Sequence, residues 1–231
     1  MDDISARLQR LRARISAAEE RFGRPAGAVT WIAVTKGQAA AAVAAVAAAG
    51  QRRFGESYVQ EALPKMEALA DAGLEWHFIG RLQSNKARFI APRFAWVHSI
   101  DNLKIAAALN AQRPAELPRL NVCIQVNASG EGQKGGVEPV HAAALADAIG
   151  GMERLCLRGV MAIPAPSEES AAQRRAFKLV YDIYRTLQAR LPALDTLSMG
   201  MSHDLEAAVA EGATLLRIGT ALFGPRPPKQ A

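Results

Sequence analysis

Eight short apolar runs typical of β-strands alternate with helical segments along this chain, and this alternation constrains the fold more than any other feature. The predicted strands are Thr30–Thr35, Arg52–Phe54, Trp76–Ile79, Trp96–Ser99, Leu120–Val126, Leu157–Ile163, Thr196–Met199 and Leu215–Ile218. The predicted helical segments between them lie near residues 38–49, 57–72, 84–90, 101–112, 137–150, 167–190 and 203–211. Eight strands separated by helices predict a parallel sheet that closes into a barrel.

An amphipathic helix precedes the first strand, and no helix is predicted after the eighth. The apolar positions of the first helix recur at helical spacing: Ile4, Leu8, Leu11 and Ile15. We expect this extra helix to cover the position that an eighth outer helix would fill. A doubly wound open sheet is the alternative, but no G-x-G-x-x-G follows the first strand. The sequence therefore predicts an α/β fold, a single (β/α)₈ TIM-type barrel domain over residues 1–231 with an extra N-terminal helix.

Composition argues against several classes of partner. The net charge of +6 raises the question of nucleic acid, but no basic stripe interleaved with aromatic residues is present. A basic surface still attracts small anions. No apolar run approaches the roughly 20 residues that cross a bilayer, and the N-terminus has no secretory pattern. The two cysteines each lie within an apolar run, which suits a reducing compartment. We expect a cytoplasmic protein that binds neither nucleic acid nor membrane.

Lys36 directly follows the first predicted strand, in the run Ala33-Val34-Thr35-Lys36. The catalytic end of such a barrel is formed by the carboxyl ends of its strands, so Lys36 is expected at that mouth. Partial desolvation disfavours the ammonium form and favours a nucleophilic amine that attacks aldehydes. Taken alone, the residue fits better a lysine that extends from a strand end into water, by about two to one.

The loops after the seventh and eighth strands carry the groups of a phosphate site, which is where barrels of this type commonly hold phosphate. Met201 and Ser202 follow the seventh strand, and Ser202 is placed either to cap the next helix or to bind an anion. Gly219 and Thr220 follow the eighth strand and offer close backbone approach, a hydroxyl and an N–H group. Arg217 lies beside them on that strand and would donate to a ring nitrogen or an acidic group.

Other predicted strands also end in polar residues, which makes a shared ligand site at one mouth of the barrel more plausible. Glu56 follows the second strand, and Asn85 lies in the segment after the third and is counted as a candidate cofactor contact. The four histidines lack metal-binding spacing, so no metal site is expected. His77 is interpreted as a strand residue with a hydrogen-bond partner rather than as a catalytic base.

Taken together, these segments resemble the pyridoxal 5′-phosphate homeostasis protein family over essentially the whole chain. The matching segments are Ala33–Lys36, Phe54–Tyr58, His77–Lys86, Ser198–Ser202 and Arg217–Gly224. The resemblance implies a barrel similar to the N-terminal domain of bacterial alanine racemase. It further implies that Lys36 holds pyridoxal 5′-phosphate (PLP) as a Schiff base. By the same resemblance, Ser202, Gly219 and Thr220 hold the phosphate and Arg217 faces the pyridine nitrogen, which makes the cofactor a poorer electron sink.

Three positions depart from the family pattern. Ser57 stands where the family usually has asparagine, so the role of that asparagine is not carried over. The family commonly has K-S-G where this chain has Lys134-Gly135-Gly136, and S-D-D where it has Ser202-His203-Asp204. These last two changes alter loop detail and leave the lysine and phosphate positions intact.

The resemblance implies a protein that maintains intracellular PLP and the amino and keto acid pools without turnover. Its partners would be the small-molecule cofactor and PLP-dependent apo-enzymes, and it would be a monomer or a weak dimer. The alternative is a PLP-dependent amino-acid racemase. Racemases of this fold use a second base, a tyrosine from a separate C-terminal β domain, and we expect no such domain in this chain. The resemblance therefore favours the binding role.

Overall fold

The computed structural model describes residues 4–128 and 135–224, and it contains the predicted barrel. The strands are β1 Thr30–Val34, β2 Arg53–Glu56, β3 Glu75–Phe78, β4 Trp96–Ile100, β5 Leu120–Gln125, β6 Leu155–Met161, β7 Thr196–Ser198 and β8 Leu215–Ile218. All neighbouring pairs are parallel, and β1 pairs with β8 so that the sheet closes in chain order. The carboxyl ends of all eight strands therefore meet at one mouth.

The helices lie outside the barrel and follow the strands. They are α1 Ile4–Arg21, α2 Ala40–Ala48, α3 Val59–Ala68, α4 Ala87–Ile90, α5 Leu103–Gln112, α6 Ala142–Gly150, α7 Ser170–Arg190, α8 Leu205–Ala210 and α9 Thr220–Phe223. Within the described ranges, no helix has both the length and the apolar character that a bilayer-spanning segment needs. The sequence's Lys134 lies outside the described residues.

The N-terminal helix fills the position opposite the last strands, as the sequence predicts. The apolar face of α1 is buried through Leu8, Leu11 and Ile15, and the helix packs against α8 and α9. Arg7 Nη1 donates to the carbonyl oxygen of Leu222 at 3.3 Å. The prediction that no helix follows the eighth strand is wrong, because α9 forms one turn there. That turn is too short to cover the barrel, so α1 provides the cover.

Two predicted strands have an end that is wrong by two residues, and the ends of the other six are correct to within one residue. The second strand was expected to end at Phe54 but continues to Glu56, because its polar end is buried and pairs with β3. The sixth was expected over Leu157–Ile163 but begins at Leu155, which pairs with Leu120, and ends at Met161. Residues 55–56 and 155–156 are thus strand residues that the sequence assigns to loops, and residues 162–163 are loop residues that it assigns to a strand.

The predicted helices 57–72 and 84–90 each break into two pieces. The first becomes α3 followed by the 3₁₀ turn Ala70–Ala72, and the second becomes the 3₁₀ turn Ser84–Lys86 followed by the single turn α4. Residues 139–141 of the predicted helix 137–150 are likewise 3₁₀. Such tight turns are common at helix ends, and the apolar period that predicts a helix does not distinguish them.

The main apolar core lies between the barrel and the helices, and several buried polar side chains lie on the barrel strands. Phe54, Phe78, Ile100, Leu109 and Phe177 are among the fully buried side chains of the outer layer. A second, small apolar cluster, consisting of Trp96, Cys123 and Met161, is separate from it. The buried polar residues His77, His98, Ser198 and Arg217 come from four strands of the barrel. This distribution leaves the polar chemistry along the barrel axis.

Candidate functional site

Lys36 lies at the carboxyl end of β1, as predicted, and is half-buried. Its ammonium nitrogen is 5.9 Å from the centre of the Tyr58 ring, which follows β2. Tyr58 itself is 52% exposed, so this side of the lysine opens toward the barrel mouth. An amine in such a position is accessible to a ligand while one face is covered by an aromatic ring.

The residue before Lys36 is fixed by a buried charged cluster that sequence reasoning missed. The Thr35 hydroxyl donates to Glu56 Oε1 at 2.6 Å, and Lys65 Nζ donates to the same oxygen at 2.6 Å. Lys65 Nζ also donates to the backbone oxygen of Thr35 at 2.8 Å. Thr35 and Glu56 are fully buried and Lys65 nearly so. The backbone that carries Lys36 is therefore held by an ion pair between β2 and α3.

The loops after β7 and β8 are joined to each other through Ser202. Its hydroxyl oxygen accepts a hydrogen bond from the backbone N–H of Ala221 at 3.1 Å. Its carbonyl oxygen accepts one from Arg14 Nη1 at 2.8 Å, which brings α1 to the same loop. The predicted helix-capping role of Ser202 is not the observed one, because the hydroxyl contacts α9 and not α8. The two predicted phosphate loops are thus one structural unit.

Gly219 brings this unit close to the strand that carries Lys36. A Cβ added at Gly219 would lie 3.6 Å from both the Cβ and the carbonyl oxygen of Val34, an ordinary contact. Its φ of −118° is open to any residue. Neither backbone conformation nor packing therefore requires a glycine at this position. Thr220, the next residue, is exposed and begins α9.

Met201 is placed beside Ser202, but its backbone N–H already has an acceptor. Asp204 Oδ1 accepts from that N–H, and burial raises the pKa of the Asp204 carboxyl. This carboxyl lies next to the loop in which we predict an anion.

Arg217 is almost completely buried and is held by backbone and side-chain oxygens of the neighbouring strands. Its Nη1 donates to Ser198 O at 2.6 Å and to Ser198 Oγ at 2.9 Å, and its Nη2 donates to Ala162 O at 2.8 Å. Burial lowers the pKa of Arg217 to about 10, which leaves the guanidinium charged at neutral pH. The barrel thus holds a fixed positive charge below the mouth.

Asn85 is not brought into this group. It is exposed in the 3₁₀ turn after β3 and lines an outer groove with Arg88 of α4 and Gln112 of α5. Its proposed contact with a cofactor stays a prediction. Ser57 is half-buried and contributes its backbone to the packing against Gly80.

A family model described as alanine racemase, N-terminal domain, matches residues 6–227. The chain is 54% identical over 226 residues to the pyridoxal phosphate homeostasis protein of Pseudomonas aeruginosa, covering 98% of this chain and 97% of that protein. It is 50% identical over 229 residues to the protein of the same name from Escherichia coli, covering 98% of each chain.

Solved structures agree with this assignment. PipY of Synechococcus elongatus, solved with PLP bound, superposes with a TM-score of 0.84 at 37% identity and covers 96% of this chain and all of that one. Alanine racemase of Corynebacterium glutamicum has a TM-score of 0.70 at 15% identity, over the whole of this chain and 62% of that one, and shows the fold alone. The chain therefore belongs to the pyridoxal phosphate homeostasis protein family, built on the barrel of the alanine racemase N-terminal domain.

Proposed function

We propose that this protein binds PLP at the carboxyl mouth of the barrel and contributes to PLP homeostasis. The observation that carries the proposal is the convergence of Lys36 after β1 with the joined loops after β7 and β8. Because β1 pairs with β8, Val34 and Gly219 are in contact distance, so the lysine and the phosphate loops border one space. The PLP named in the PipY structure supports the same ligand class.

The residues present suit the parts of this cofactor. The Lys36 amine would form a Schiff base with the aldehyde, with loss of water. The phosphate would bind to Ser202, Gly219 and Thr220, where hydroxyl and backbone donors of two loops meet. Arg217 would face the pyridine nitrogen as a permanent donor. When bound, PLP supplies electron withdrawal, and a cationic partner at its nitrogen weakens that withdrawal.

A storage and delivery role explains this arrangement better than turnover does. The full-length relatives are named homeostasis proteins. Tyr184 of α7 donates its hydroxyl to the carbonyl oxygen of Leu194 and belongs to the outer layer. Tyr58 is the tyrosine that lies beside Lys36, and it supports the alternative of an amino-acid racemase. We propose that PLP-dependent apo-enzymes receive the cofactor from this protein. The amino and keto acid pools would then change through the activity of those enzymes.

The Schiff base is tested by absorbance and by peptide mapping. Purified protein incubated with PLP should show an absorbance band of a lysine-bound cofactor, and borohydride reduction should attach the cofactor mass to the Lys36 peptide. Lys36→Ala should lose that band. Lys86→Ala is the matched control, because Lys86 is also half-buried and lies at the same side of the barrel. A band that survives Lys36→Ala would contradict the assignment of the lysine.

The phosphate contacts are tested by affinity. Ser202→Ala should raise the Kd for PLP by about tenfold or more, since a hydrogen bond to a charged group contributes about 1.5–3 kcal/mol. The absorbance band should remain. An unchanged Kd would remove Ser202 from the phosphate site.

The homeostasis role is tested by assaying transfer of PLP to an apo-enzyme and by assaying racemisation of amino acids. Loaded protein should restore activity to a PLP-dependent apo-enzyme, and incubation with single enantiomers of the amino acids should give no racemisation above that of free PLP. Sustained racemisation abolished by Tyr58→Phe would overturn the homeostasis role in favour of an enzyme.

A further inference from the structure

A hydrogen-bonded chain of side chains crosses the barrel interior from the amino-terminal mouth to Arg217. Glu75 Oε1 is 2.9 Å from His77 Nε2, and His77 Nδ1 is 2.9 Å from His98 Nε2. His98 Nδ1 is in turn 2.9 Å from Ser198 Oγ, which accepts from Arg217 Nη1 at 2.9 Å. The five residues come from β3, β4, β7 and β8. We call this set the axial chain.

The axial chain is buried along most of its length. His98 and Ser198 are fully buried, and His77 and Arg217 are 1% and 3% exposed. Glu75 is half-buried and lines a cavity of about 400 Å³ at the amino-terminal mouth, opposite the proposed cofactor site. Polar groups this deep are costly unless each one has a partner, and the axial chain provides those partners.

The two ends of the axial chain fix the direction of every hydrogen bond. The Glu75 carboxylate can only accept, so with neutral rings each imidazole donates from Nε2 toward Glu75. His98 Nδ1 then accepts from the Ser198 hydroxyl, whose oxygen accepts from Arg217. His98 then carries its proton on Nε2 and donates to His77 Nδ1. His77 likewise carries its proton on Nε2 and donates to the Glu75 carboxylate. Both imidazoles are neutral in this arrangement, and every donor meets one acceptor.

The environment of the two histidines agrees with neutral rings. Burial lowers the pKa of His98 well below its usual 6.5, and the neighbouring His77 and Arg217 act in the same direction. Burial also lowers the pKa of His77, against the opposing effect of the Glu75 hydrogen bond. Trp96 stacks on the His77 ring at 5.4 Å between centroids, which holds that ring in plane.

We propose that His98 and Ser198 are positioning residues that hold the Arg217 guanidinium toward the cofactor's ring nitrogen. This inference rests on the proposed function. Within residues 4–128 and 135–224, Arg217 makes three hydrogen bonds, to Ser198 and Ala162, whereas a guanidinium has five N–H donors. Donors therefore remain for an acceptor at the mouth. The hydrogen bond from the Ser198 hydroxyl to His98 Nδ1 fixes the orientation of that hydroxyl, so that its oxygen faces Arg217 Nη1 and accepts from it.

The first experiment needs no cofactor. Nitrogen-15 NMR of the imidazoles in the unloaded protein should show His77 and His98 as neutral rings protonated on Nε2 at pH 7.5. Ser198→Ala removes the donor to His98 Nδ1 and should shift that nitrogen's resonance, while Cys123→Ala should not. Cys123 is the matched control because it is equally buried and lies in β5 outside the axial chain. An imidazolium or a ring protonated on Nδ1 in the wild type would overturn the inference.

The second experiment reads the cofactor. Ser198→Ala should move the absorbance maximum of bound PLP and raise its Kd about tenfold, and Cys123→Ala should change neither. His98→Asn keeps an acceptor near the Nδ1 position and should retain more of the wild-type spectrum than His98→Leu. If Ser198→Ala binds PLP with the wild-type spectrum and Kd, the positioning role is refuted while the Lys36 result stands. If the wild type shows no band, the proposed function fails, and the positioning role fails with it.

Discussion

Replacing Lys65 by methionine tests whether the buried ion pair beneath Lys36 holds the barrel mouth together. Lys65→Met keeps the length of the side chain and removes the ammonium. The Glu56 carboxylate would then retain only the Thr35 hydroxyl, because its Oε2 has no hydrogen-bond partner within the described part of the chain. The backbone oxygen of Thr35 would lose its Lys65 donor as well.

The magnitude follows from burial. The side chains of Lys65 and Glu56 are 8% and 0% exposed, and removing one partner of a buried pair costs about 3–5 kcal/mol. For a chain of this size each kcal/mol lowers Tm by about 2–4 °C, so Lys65→Met should lower it by about 6–20 °C. Adding Glu56→Gln removes the stranded charge and should recover part of the loss, leaving about 1–2 kcal/mol for imperfect hydrogen bonding.

Urea unfolding of the unloaded protein is followed by circular dichroism. It measures Lys65→Met, Glu56→Gln and the double variant against the wild type as a double-mutant cycle. Lys178→Met is the matched control, because Lys178 pairs with Asp182 one helical turn away on the exposed face of α7. An exposed pair of this kind is expected to contribute about 0.3–0.5 kcal/mol. Equal losses for Lys65→Met and Lys178→Met would refute the reasoning, as would a double variant no more stable than Lys65→Met.

Three more outcomes follow from burial and packing. In urea unfolding, Gly80→Ala should destabilise the fold far more than Gly73→Ala, because the Cβ added at Gly80 would lie 1.9 Å from Ser57 O. The Cβ added at Gly73 meets nothing within 4 Å, and that variant costs about 1 kcal/mol for the positive φ of the residue. The free energy of unfolding should fall as pH drops below about 6.5. Burial lowers the pKa of His98 in the folded protein, so the unfolded chain binds a proton at this residue that the folded protein does not. Equal free energies of unfolding at pH 7.5 and pH 5.5 would contradict this. Arg113→Ala should cost about 3 kcal/mol by thermal unfolding, since its guanidinium donates to three backbone carbonyls, and a change under 1 kcal/mol would count against that account.

The sequence was sufficient for the parts of the fold that depend on local pattern. Short runs of three to seven residues predicted the eight strands, and the spacing of Leu8, Leu11 and Ile15 predicted α1. The end of β2 was misjudged because Glu56 looks like a loop residue. Its burial depends on Lys65, nine positions away, and nothing in the local pattern of β2 shows that pairing.

The sequence predicts those site residues whose positions follow from the barrel fold itself. It does not predict those that meet only through the register between strands. The positions of Lys36, Ser202 and Gly219 follow from the rule that barrel chemistry lies at the carboxyl ends of strands. The partners of Arg217 do not, because Ser198 and His98 lie 19 and 119 residues away and meet it only through the register of the closed sheet. Trp96 and His98 lie two positions apart in β4 and so on the same face of the strand, which was the signal available for His98.

Arg14 joins the N-terminal helix to the proposed phosphate site. Its Nη2 is 2.6 Å from Glu206 Oε2 while its Nη1 donates to Ser202 O, so one guanidinium connects α1, α8 and the loop that holds Ser202. Docking of α1 and order in that loop are therefore thermodynamically linked. Any anion that prefers the ordered loop must also raise the free energy needed to detach α1, by the same amount that docked α1 adds to the anion's binding. PLP bound at the proposed site would therefore stabilise the docked first helix.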